Sequence, residues 1–538
     1  MKDIRPSALR FAGARARSRP GLFYLGLATV FIAAILVNLV WSVVSPGVKD
    51  ASLDGAVRAR LASPVPDPSI LIVDIDERSL ALLAPAHGRW PWPRSVIAET
   101  IADLSDAGAK SILVNLTFSD PDKDHPQDDA TLQDVLAHTP NVVLPITRLN
   151  PANDGQSQIA ITRFAGALIH DPAAAAKPIA VLAPAFPGAY ARLGFNNLRV
   201  DSDGAVRRYD PYWNEAAFSF PSLPLRALEA AGLKPIIAPN DFPQGMILNW
   251  RNKRGDYARR SFADVAADLD SGDAGRAARY RGKLIILGAT AIGLGSPRGT
   301  AAASTTDDNT ILATAMDDMK SGSWLRVIPD WAMALLTILS VAGLAATFIF
   351  RMPQRWINIL FWLLQTGFVA VTIYCVSYTP YLLDISSTIA FALSYYAIAN
   401  FYSRLHLNAL RGNPAFSDFI QGHTGSAFLL VGINGPSQAQ RPVHAMVHAM
   451  ERRFGVRHVL HVDNLFGSGH VLQQPTQGMS FVVAAVPPQE LATARSAAEE
   501  IARSGGLDPR LVEVPADDNP HDARQILKAI LGIAGELA

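Results

Sequence analysis

Residues 69–76 read SILIVDID, a continuous apolar run that closes on two aspartates. Three more short apolar runs follow it, at residues 111–116, 141–145 and 283–288, with amphipathic helical patterns between them. Apolar strands that alternate with helices are typical of a mainly parallel sheet with helices on both faces. The sequence therefore predicts a large α/β domain over residues 45–326.

Polar side chains stand where these predicted strands end. In such sheets, ligands tend to bind beyond the carboxyl ends of the strands. The strand-end residues are Asp74, Asp76, Glu77, Asn115, Thr117 and Thr290. The same residue types also cap helices and satisfy turns. A ligand site and a set of local caps therefore both remain open at this edge.

Four apolar stretches are long enough to cross a bilayer, which needs about 20 helical residues. They span residues 21–44, 328–350, 356–376 and 381–402. A tail over residues 1–20, with six Lys or Arg side chains and one Asp, precedes the first of them. The length of that first run favours an uncleaved anchor over a signal peptide.

Basic flanks orient these helices. The tail, the turn that holds Arg351 and Arg355, and the segment after the fourth stretch all fall on one side, which is cytoplasmic by the positive-inside rule. The chain is thus predicted to be a multi-pass protein of the plasma (inner) membrane, with the lipid bilayer as a partner. Both termini are cytoplasmic in this prediction, and residues 45–326 are periplasmic or extracellular. Asp384 lies one turn into the last stretch, where it can reach the membrane interface.

The overall composition excludes some functions. Lys and Arg number 48 against 47 Asp and Glu, so nothing in the charge balance indicates a nucleic-acid partner. The single cysteine, Cys375, excludes an intramolecular disulfide and a cysteine-based metal cluster.

Beyond a linker over residues 403–425, periodic patterns return. Residues 426–538 predict the order βαββαβ and then a closing helix, as in a small α+β, ferredoxin-like domain. Its first strand, in SAFLLVGING, has no carboxylate to hold the Mg²⁺ that a nucleotide cyclase requires. The sequence contains no P-loop. Residues 463–469 resemble the glycine box of a histidine kinase too weakly to indicate a kinase. We therefore predict no catalytic residue and no cofactor, and an enzyme is the less favoured reading.

Histidines are concentrated near the C-terminus, where eight of the 12 lie after residue 405. His444 and His448 are spaced i, i+4 on a predicted helix and could hold a metal, with His458, His461 and Asp463 nearby. Surface histidines are the favoured reading, so no metal site is predicted.

Several long motifs in residues 45–326 follow one another in an order that resembles a known family. They are VDIDERSL (73–80), GRWPWPR (88–94), ILVNLTFSDPD (112–122), DSDGAVRR (201–208), SFPSLPLRAL (219–228) and GKLIILGATAIGLG (282–295). The region resembles the type-two CHASE family, the extracellular sensor domains associated with cyclases and histidine kinases. The resemblance implies an exported sensor between an anchor and about three membrane helices, followed by a cytoplasmic output domain. Arg94 and Arg207 lie in these motifs and complete the predicted ligand-binding set.

The chain also departs from the family pattern. Asn115 and Ser296 stand where the family often has acids, and residues 308–319 lack a histidine common there. The favoured function is a transmembrane receptor that senses a small molecule or envelope component and signals by contact with an unidentified cytoplasmic protein. A homodimer remains open. The alternatives are a non-sensing accessory or structural subunit of a cell-envelope complex, and a degenerate nucleotide cyclase-like output.

Overall fold

The computed structural model describes most of the chain. The described residues are 19–41, 46–123, 125–251, 257–350, 352–406, 418–420, 422–423, 426–434, 440–462, 479–504, 507–515, 529 and 533. They separate into two compact units. One comprises residues 36–337 and 362–389, and the other comprises the described residues of 1–35, 338–361 and 390–538.

The helices and strands follow one another throughout the chain. The helices are Arg19–Trp41 (α1), Pro46–Ala59 (α2), Glu77–His87 (α3), Arg94–Asp106 (α4), Pro126–His138 (α5), Pro172–Ala175 (α6), Leu223–Ala230 (α7), Phe262–Asp270 (α8), Ala274–Ala277 (α9), Asp308–Ser321 (α10), Asp330–Ile349 (α11), Gln354–Tyr378 (α12), Ser386–His406 (α13), Gln440–Phe454 (α14) and Leu491–Ser504 (α15). The strands are Ile70–Ile75 (β1), Ser111–Asn115 (β2), Val142–Arg148 (β3), Leu168–Ile169 (β4), Val181–Leu182 (β5), Leu193–Phe195 (β6), Ala205–Val206 (β7), Arg208–Tyr209 (β8), Tyr212–Glu215 (β9), Phe218–Pro221 (β10), Met246–Ile247 (β11), Ala258–Ser261 (β12), Leu284–Ala289 (β13), Gly299–Thr300 (β14), Arg326–Val327 (β15), Tyr381–Leu382 (β16), Ala427–Asn434 (β17), Val459–Val462 (β18), Met479–Val486 (β19) and Pro509–Val514 (β20).

The main sheet of the first unit has the strand order β12-β1-β13-β2-β3-β5, and β6 also pairs with β3. All of these pairs are parallel except β3 with β5. This arrangement confirms the predicted mainly parallel sheet. The four apolar runs form β1, β2, β3 and β13, whereas the strand β12, of sequence ARRS, has no apolar signature and was not predicted.

Both faces of this sheet are covered. Every residue of β1 is buried, and alternate side chains enter two different cores. Leu71, Val73 and Ile75 pack with α4 and α8, and Ile70 and Ile72 pack with α2, α7 and α10. A strand buried on both faces explains why its sequence is continuously apolar.

Helix α10 lies deepest among the helices of this unit. Each of its residues from Asn309 to Met319 is buried. Its capping residue Asp307 stands near the carboxyl end of β1, since Asp74 and Asp307 share Arg259 as a partner. Near its last turn, Asp317 accepts a hydrogen bond of 3.1 Å from the backbone N–H of Asp67, just before β1. The helix therefore runs antiparallel to β1 along its whole length.

Three helices in the described part of the chain are long and apolar enough to cross a membrane. They are Gly21–Trp41, Asp330–Ile349 and Gln354–Tyr378. The fourth predicted segment also contains a helix, α13, but it begins at Ser386 instead of residue 381 and is less apolar. Tyr381 and Leu382 pair in parallel with Arg326 and Val327. The difference arises because Pro380 and Asp384 delay the helix start: Asp384 caps it by accepting from the Ser386 backbone N–H at 3.1 Å.

The C-terminal part of the second unit contains one antiparallel sheet with the order β18-β19-β17-β20. Helices α14 and α15 cover one face through residues such as Met446 and Ala498. Ile420 and Ile533 pack on the other face. The described elements follow the order βαββαβ. The predicted closing helix at 523–537, apart from residues 529 and 533, and the segment 463–469 lie outside the described residues.

Gly194 shows how tightly the α/β domain is packed. A Cβ atom built on Gly194, in β6, would lie 2.5 Å from the Cα and 2.8 Å from the backbone nitrogen of Leu223, at the start of α7. Backbone atoms cannot move aside as a flexible side chain can, so only glycine lets this helix approach the sheet.

The variant Gly194→Ala is expected to lower the free energy of unfolding by about 3 kcal/mol, because the added methyl group overpacks α7 against β6. Gly55→Ala is the matched control, since Gly55 lies in α2 with no atom within 4 Å of the new Cβ. That variant should unfold at unchanged or slightly higher denaturant concentration. Chemical denaturation of the full chain in detergent, followed by tryptophan fluorescence, measures both. Equal stability of the two variants would contradict the packing described here.

Candidate functional site

A charged cluster occupies the carboxyl end of β1. Arg259, on the neighbouring strand β12, binds Asp74 through two hydrogen bonds, from Nε to Oδ2 at 2.7 Å and from Nη2 to Oδ1 at 2.9 Å. The same guanidinium donates to Asp307, from Nη1 to Oδ2 at 3.0 Å. Asp74 is only 6% exposed. A single cation thus neutralises two carboxylates from separate elements.

Asp307 also caps helix α10. Its carboxylate accepts from the Thr310 backbone N–H at 2.9 Å and from the Thr310 hydroxyl at 2.8 Å. An aspartate at this position satisfies free N–H groups and complements the helix dipole. Burial opposes ionisation of Asp307, but the hydrogen bonds from Arg259 outweigh it and hold the pKa of Asp307 below its usual value.

Asn309 connects Asp74 to Asn115 at the end of strand β2. Its Nδ2 lies 3.3 Å from Asp74 Oδ1, and its Oδ1 accepts from Asn115 Nδ2 at 3.2 Å. The side chain passes over Gly288 in β13, where a Cβ atom would lie 2.3 Å from Asn309 Oδ1. We name Asp74, Asn115, Arg259, Asp307 and Asn309 the strand-end cluster.

Three more predicted residues lie at the same edge. Asp76 caps α3 and accepts from the Ser79 backbone N–H at 2.8 Å and from the Ser261 hydroxyl at 2.7 Å. Burial opposes ionisation of Asp76, yet these hydrogen bonds hold its pKa below the usual value. Glu77 accepts from the backbone N–H of Ile292 at 2.8 Å, and the backbone N–H of Thr290 donates to Ile75 at 3.0 Å.

The structure does not join the remaining predicted residues to this cluster. Arg94, at the start of α4, forms an ion pair with Asp129 and lies 5.5 Å from the ring centre of Phe118. Thr117 is exposed in the segment after β2. Arg207 lies instead among Asp54, Asp201 and Asp203, which it contacts at 2.6–3.0 Å. Hydrogen bonds from Arg207 to Asp54 and Asp203 outweigh burial and raise the pKa of the arginine.

A second charged group lies at the other end of α10. It comprises Arg60, Arg251, Tyr257, Asp317 and Asp318, all of them buried, and we name it the basal cluster. Arg251 Nη1 donates to Asp318 at 2.5 Å, and the Tyr257 hydroxyl donates to Asp317 at 3.0 Å. Burial raises the pKa of Asp318 to about 6, although Arg251 and the Asn249 backbone N–H favour its charged form.

The basal cluster leads directly to the predicted membrane helices. The Asn249 backbone N–H donates to Asp318 at 2.8 Å, and the Leu325 backbone N–H donates to the Ile247 carbonyl at 3.0 Å. One residue later the pairing of β15 with β16 begins, and α11 starts at Asp330. Helix α10 therefore connects the strand-end cluster to the start of α11.

One family model covers this arrangement. The model for the CHASE2 domain matches residues 28–364, which is more than half of the chain. The chain belongs to the CHASE2 family. The match includes the whole α/β domain, helix α11, most of α1 and the beginning of α12. No curated protein and no solved structure matches the chain.

Sequence reasoning missed the most connected residues of the strand-end cluster. Arg259 lies in the charged stretch ARRS, which gives no strand signal. Asp307 was detectable, because an aspartate just before an apolar helical run is a typical helix start. Asn309 has no distinctive sequence signal, since its role depends on the neighbouring Gly288.

The histidines of the C-terminal domain do not form a metal site among the described residues. No group of three or more His, Cys, Asp or Glu side chains there could hold a metal ion. The ring centre of His444 lies 5.6 Å from that of His461, and His448 Nδ1 lies 2.9 Å from Glu451. Asp463 lies outside the described residues.

Arg259→Met is expected to lower the free energy of unfolding by about 2–4 kcal/mol, because it leaves Asp74 buried without its cation. The pH dependence should change as well. The depressed pKa of Asp307 contributes stability above about pH 4 that is lost as the pH falls through its folded-state pKa. The variant should therefore lose less stability than the wild type on acidification below pH 4.

Denaturation of the full chain in detergent at several pH values tests this prediction. Arg78→Met is the control, because Arg78 and Asp264 form an exposed pair of 3.0 Å. Such pairs contribute little, so the control should match the wild type. Equal destabilisation by both substitutions would remove the structural role given to Arg259.

Proposed function

We propose that this protein is a transmembrane receptor of the inner membrane. Its CHASE2 domain lies outside the cytoplasm and senses a small molecule or envelope component. Four membrane helices connect that domain to a cytoplasmic C-terminal domain, which signals by contact with a protein partner. The observation that carries the proposal is helix α10, which joins the strand-end cluster to the first helix that re-enters the membrane.

The orientation rests on charge and on the packing of α13. The basic tail before α1 favours a cytoplasmic N-terminus. Three apolar crossings alone would leave the C-terminal domain outside, whereas a fourth returns it to the cytoplasm. Tyr395 of α13 is fully buried, and its hydroxyl donates to the Tyr24 carbonyl of α1 at 3.2 Å. Tyr402 stacks on Phe23 with ring centres 3.6 Å apart. Contacts with another membrane helix support α13 as the fourth crossing despite its polar residues.

The strand-end cluster is the proposed sensing edge. Two of its carboxylates, Asp74 and Asp307, share one arginine, and the carboxylate of Asp76 lies at the same edge, so the edge favours a ligand with a positive charge or several hydrogen-bond donors. A ligand that competes for Arg259 or Asp307 would loosen the start of α10. The response is limited to the ligand's differential affinity for the two states of this helix.

The output domain is proposed to be a ferredoxin-like module without catalysis. Its βαββαβ order and antiparallel strand order support that fold. Strand β17 holds no carboxylate that could bind the metal of a cyclase. A Cβ atom built on Gly432 of β17 would lie 2.2 Å from Cγ2 of Ile533, so the chain itself covers this part of the sheet. A covered sheet leaves the helices α14 and α15 as the surface for a protein partner.

The internal pairing of the strand-end cluster favours a second candidate. Arg259 already satisfies Asp74 and Asp307, and Asn309 satisfies Asn115. A CHASE2 domain with no need of a ligand would serve as an accessory subunit of an envelope complex. Purification with another envelope protein in a fixed ratio would support this second role.

Topology reporters test the receptor arrangement. Alkaline phosphatase is active only outside the cytoplasm, and green fluorescent protein fluoresces only inside. Fusion after residue 380 should give active phosphatase and a dark fluorescent protein. Fusion after residue 538 should give the reverse pattern, because α13 carries the chain back across the membrane. Active phosphatase at residue 538 would show that α13 does not cross and would overturn the proposal.

A further inference from the structure

A cleft of about 700 Å³ lies at the base of the CHASE2 domain. Its charged lining comprises Lys49, Asp50, Arg199, Asp201, Arg208, Asp330 and Asp384. Arg208 pairs with both Asp50 and Asp201, at 3.3 and 3.4 Å. All of these residues belong to the same compact unit. The volume is in the range of clefts that hold small molecules in proteins.

The cleft lies at the ends of three predicted membrane helices. Lys49 is in α2, which follows α1, and Asp330 is the first residue of α11. Asp384 is two residues before α13. In the proposed orientation, these positions place the cleft at the depth of the headgroups of the outer leaflet. The inference rests on that orientation.

The lining presents cations with hydrogen-bonding capacity. Lys49 Nζ lies 4.0 Å from Asp384 Oδ2, too far for a hydrogen bond, so the ammonium can still donate to a ligand. The Arg199 side chain is 40% exposed, although it binds Asp210 at 3.0 Å. A lysine ammonium and an arginine guanidinium are the usual protein donors to a phosphate.

Carboxylates and apolar side chains complete the lining. Asp330 is exposed, and Asp384 is partly exposed. Either carboxylate could accept from an ammonium group. Leu53, Val327 and Leu382 supply apolar surface, and Val327 is 43% exposed. Phosphate donors, ammonium acceptors and apolar surface therefore occur together in one cleft.

We propose that this cleft binds the headgroup of a zwitterionic phospholipid of the phosphoethanolamine type from the outer leaflet. The phosphate would contact Lys49 and Arg199, and the ammonium would contact Asp330 or Asp384. The acyl chains would lie along the apolar rim toward the bilayer. The lining joins α2, β15, β16 and the start of α11, so the lipid would stabilise the arrangement through which α10 meets the membrane.

Short-chain lipids allow a direct binding test on the full-length protein in detergent. Dihexanoyl phosphatidylethanolamine should raise the thermal unfolding midpoint in a saturable way, because a ligand of the folded state stabilises it. Dihexanoyl phosphatidylglycerol, which lacks the ammonium, should give a clearly smaller rise. Glycerophosphoethanolamine, which lacks the chains, distinguishes a lipid from a soluble compound. A response to it as large as that to the lipid would overturn the assignment to a lipid.

Variants locate the binding. Lys49→Ala should weaken binding of the phosphatidylethanolamine about tenfold or more, and Lys49→Arg should restore most of it. Asp330→Asn, at an exposed position, should weaken binding several-fold without unfolding the protein. Lys177→Ala is the control, since Lys177 is exposed and outside the cleft. Equal binding by the Lys49, Asp330 and Lys177 variants would overturn the proposal. Binding in detergent does not depend on orientation, so its failure is distinct from failure of the topology reporters.

Discussion

The pairing of Arg259 with Asp74 and Asp307 is the interaction on which the rest of this structure depends. It joins a strand at the sheet edge, the carboxyl end of β1 and the first turn of α10 through one guanidinium. Because α10 is buried along its length, its position cannot change without disturbing the core on one face of the sheet. The carboxylates would be costly to bury alone, so the arginine makes this placement of the helix possible.

The other end of α10 has the same design. Asp317 and Asp318 meet Arg251 in the basal cluster, and the chain then continues through β15 into α11. The pairing of β15 with β16 ties the entry of α11 to the segment before α13. Charged groups thus hold both ends of one buried helix, while apolar packing holds its middle. This arrangement links the strand-end cluster of the CHASE2 domain to the start of α11, one of the candidate membrane helices.

The sequence predicted the parts of this fold that depend on apolar periodicity. The strands β1, β2, β3 and β13 and the helices α1, α11 and α12 are all evident from continuous apolar runs. Strand β12 was missed because its arginines make ion pairs in place of core contacts, as Arg260 does with Asp268 at 2.8 Å. The β16 pairing was missed because Tyr381 and Leu382 are as apolar as the helix that follows. The strand-end residues Asp74, Asp76 and Asn115 do converge, yet Arg207 joins a different group of carboxylates. Sequence motifs place such residues along the chain and do not specify which partners the fold supplies.

Hydrogen exchange on the full-length protein in lipid nanodiscs tests the central claim, that α10 responds as one unit from the strand-end cluster to the membrane. The comparison is between the wild type and Arg259→Lys, which keeps the positive charge and loses the bidentate contact with Asp74. We predict exchange roughly tenfold faster at both ends of α10, including residues 317–321, and at β15. Faster exchange confined to residues 307–310 would show that the strand-end cluster is not coupled to the membrane helices, and it would contradict this account.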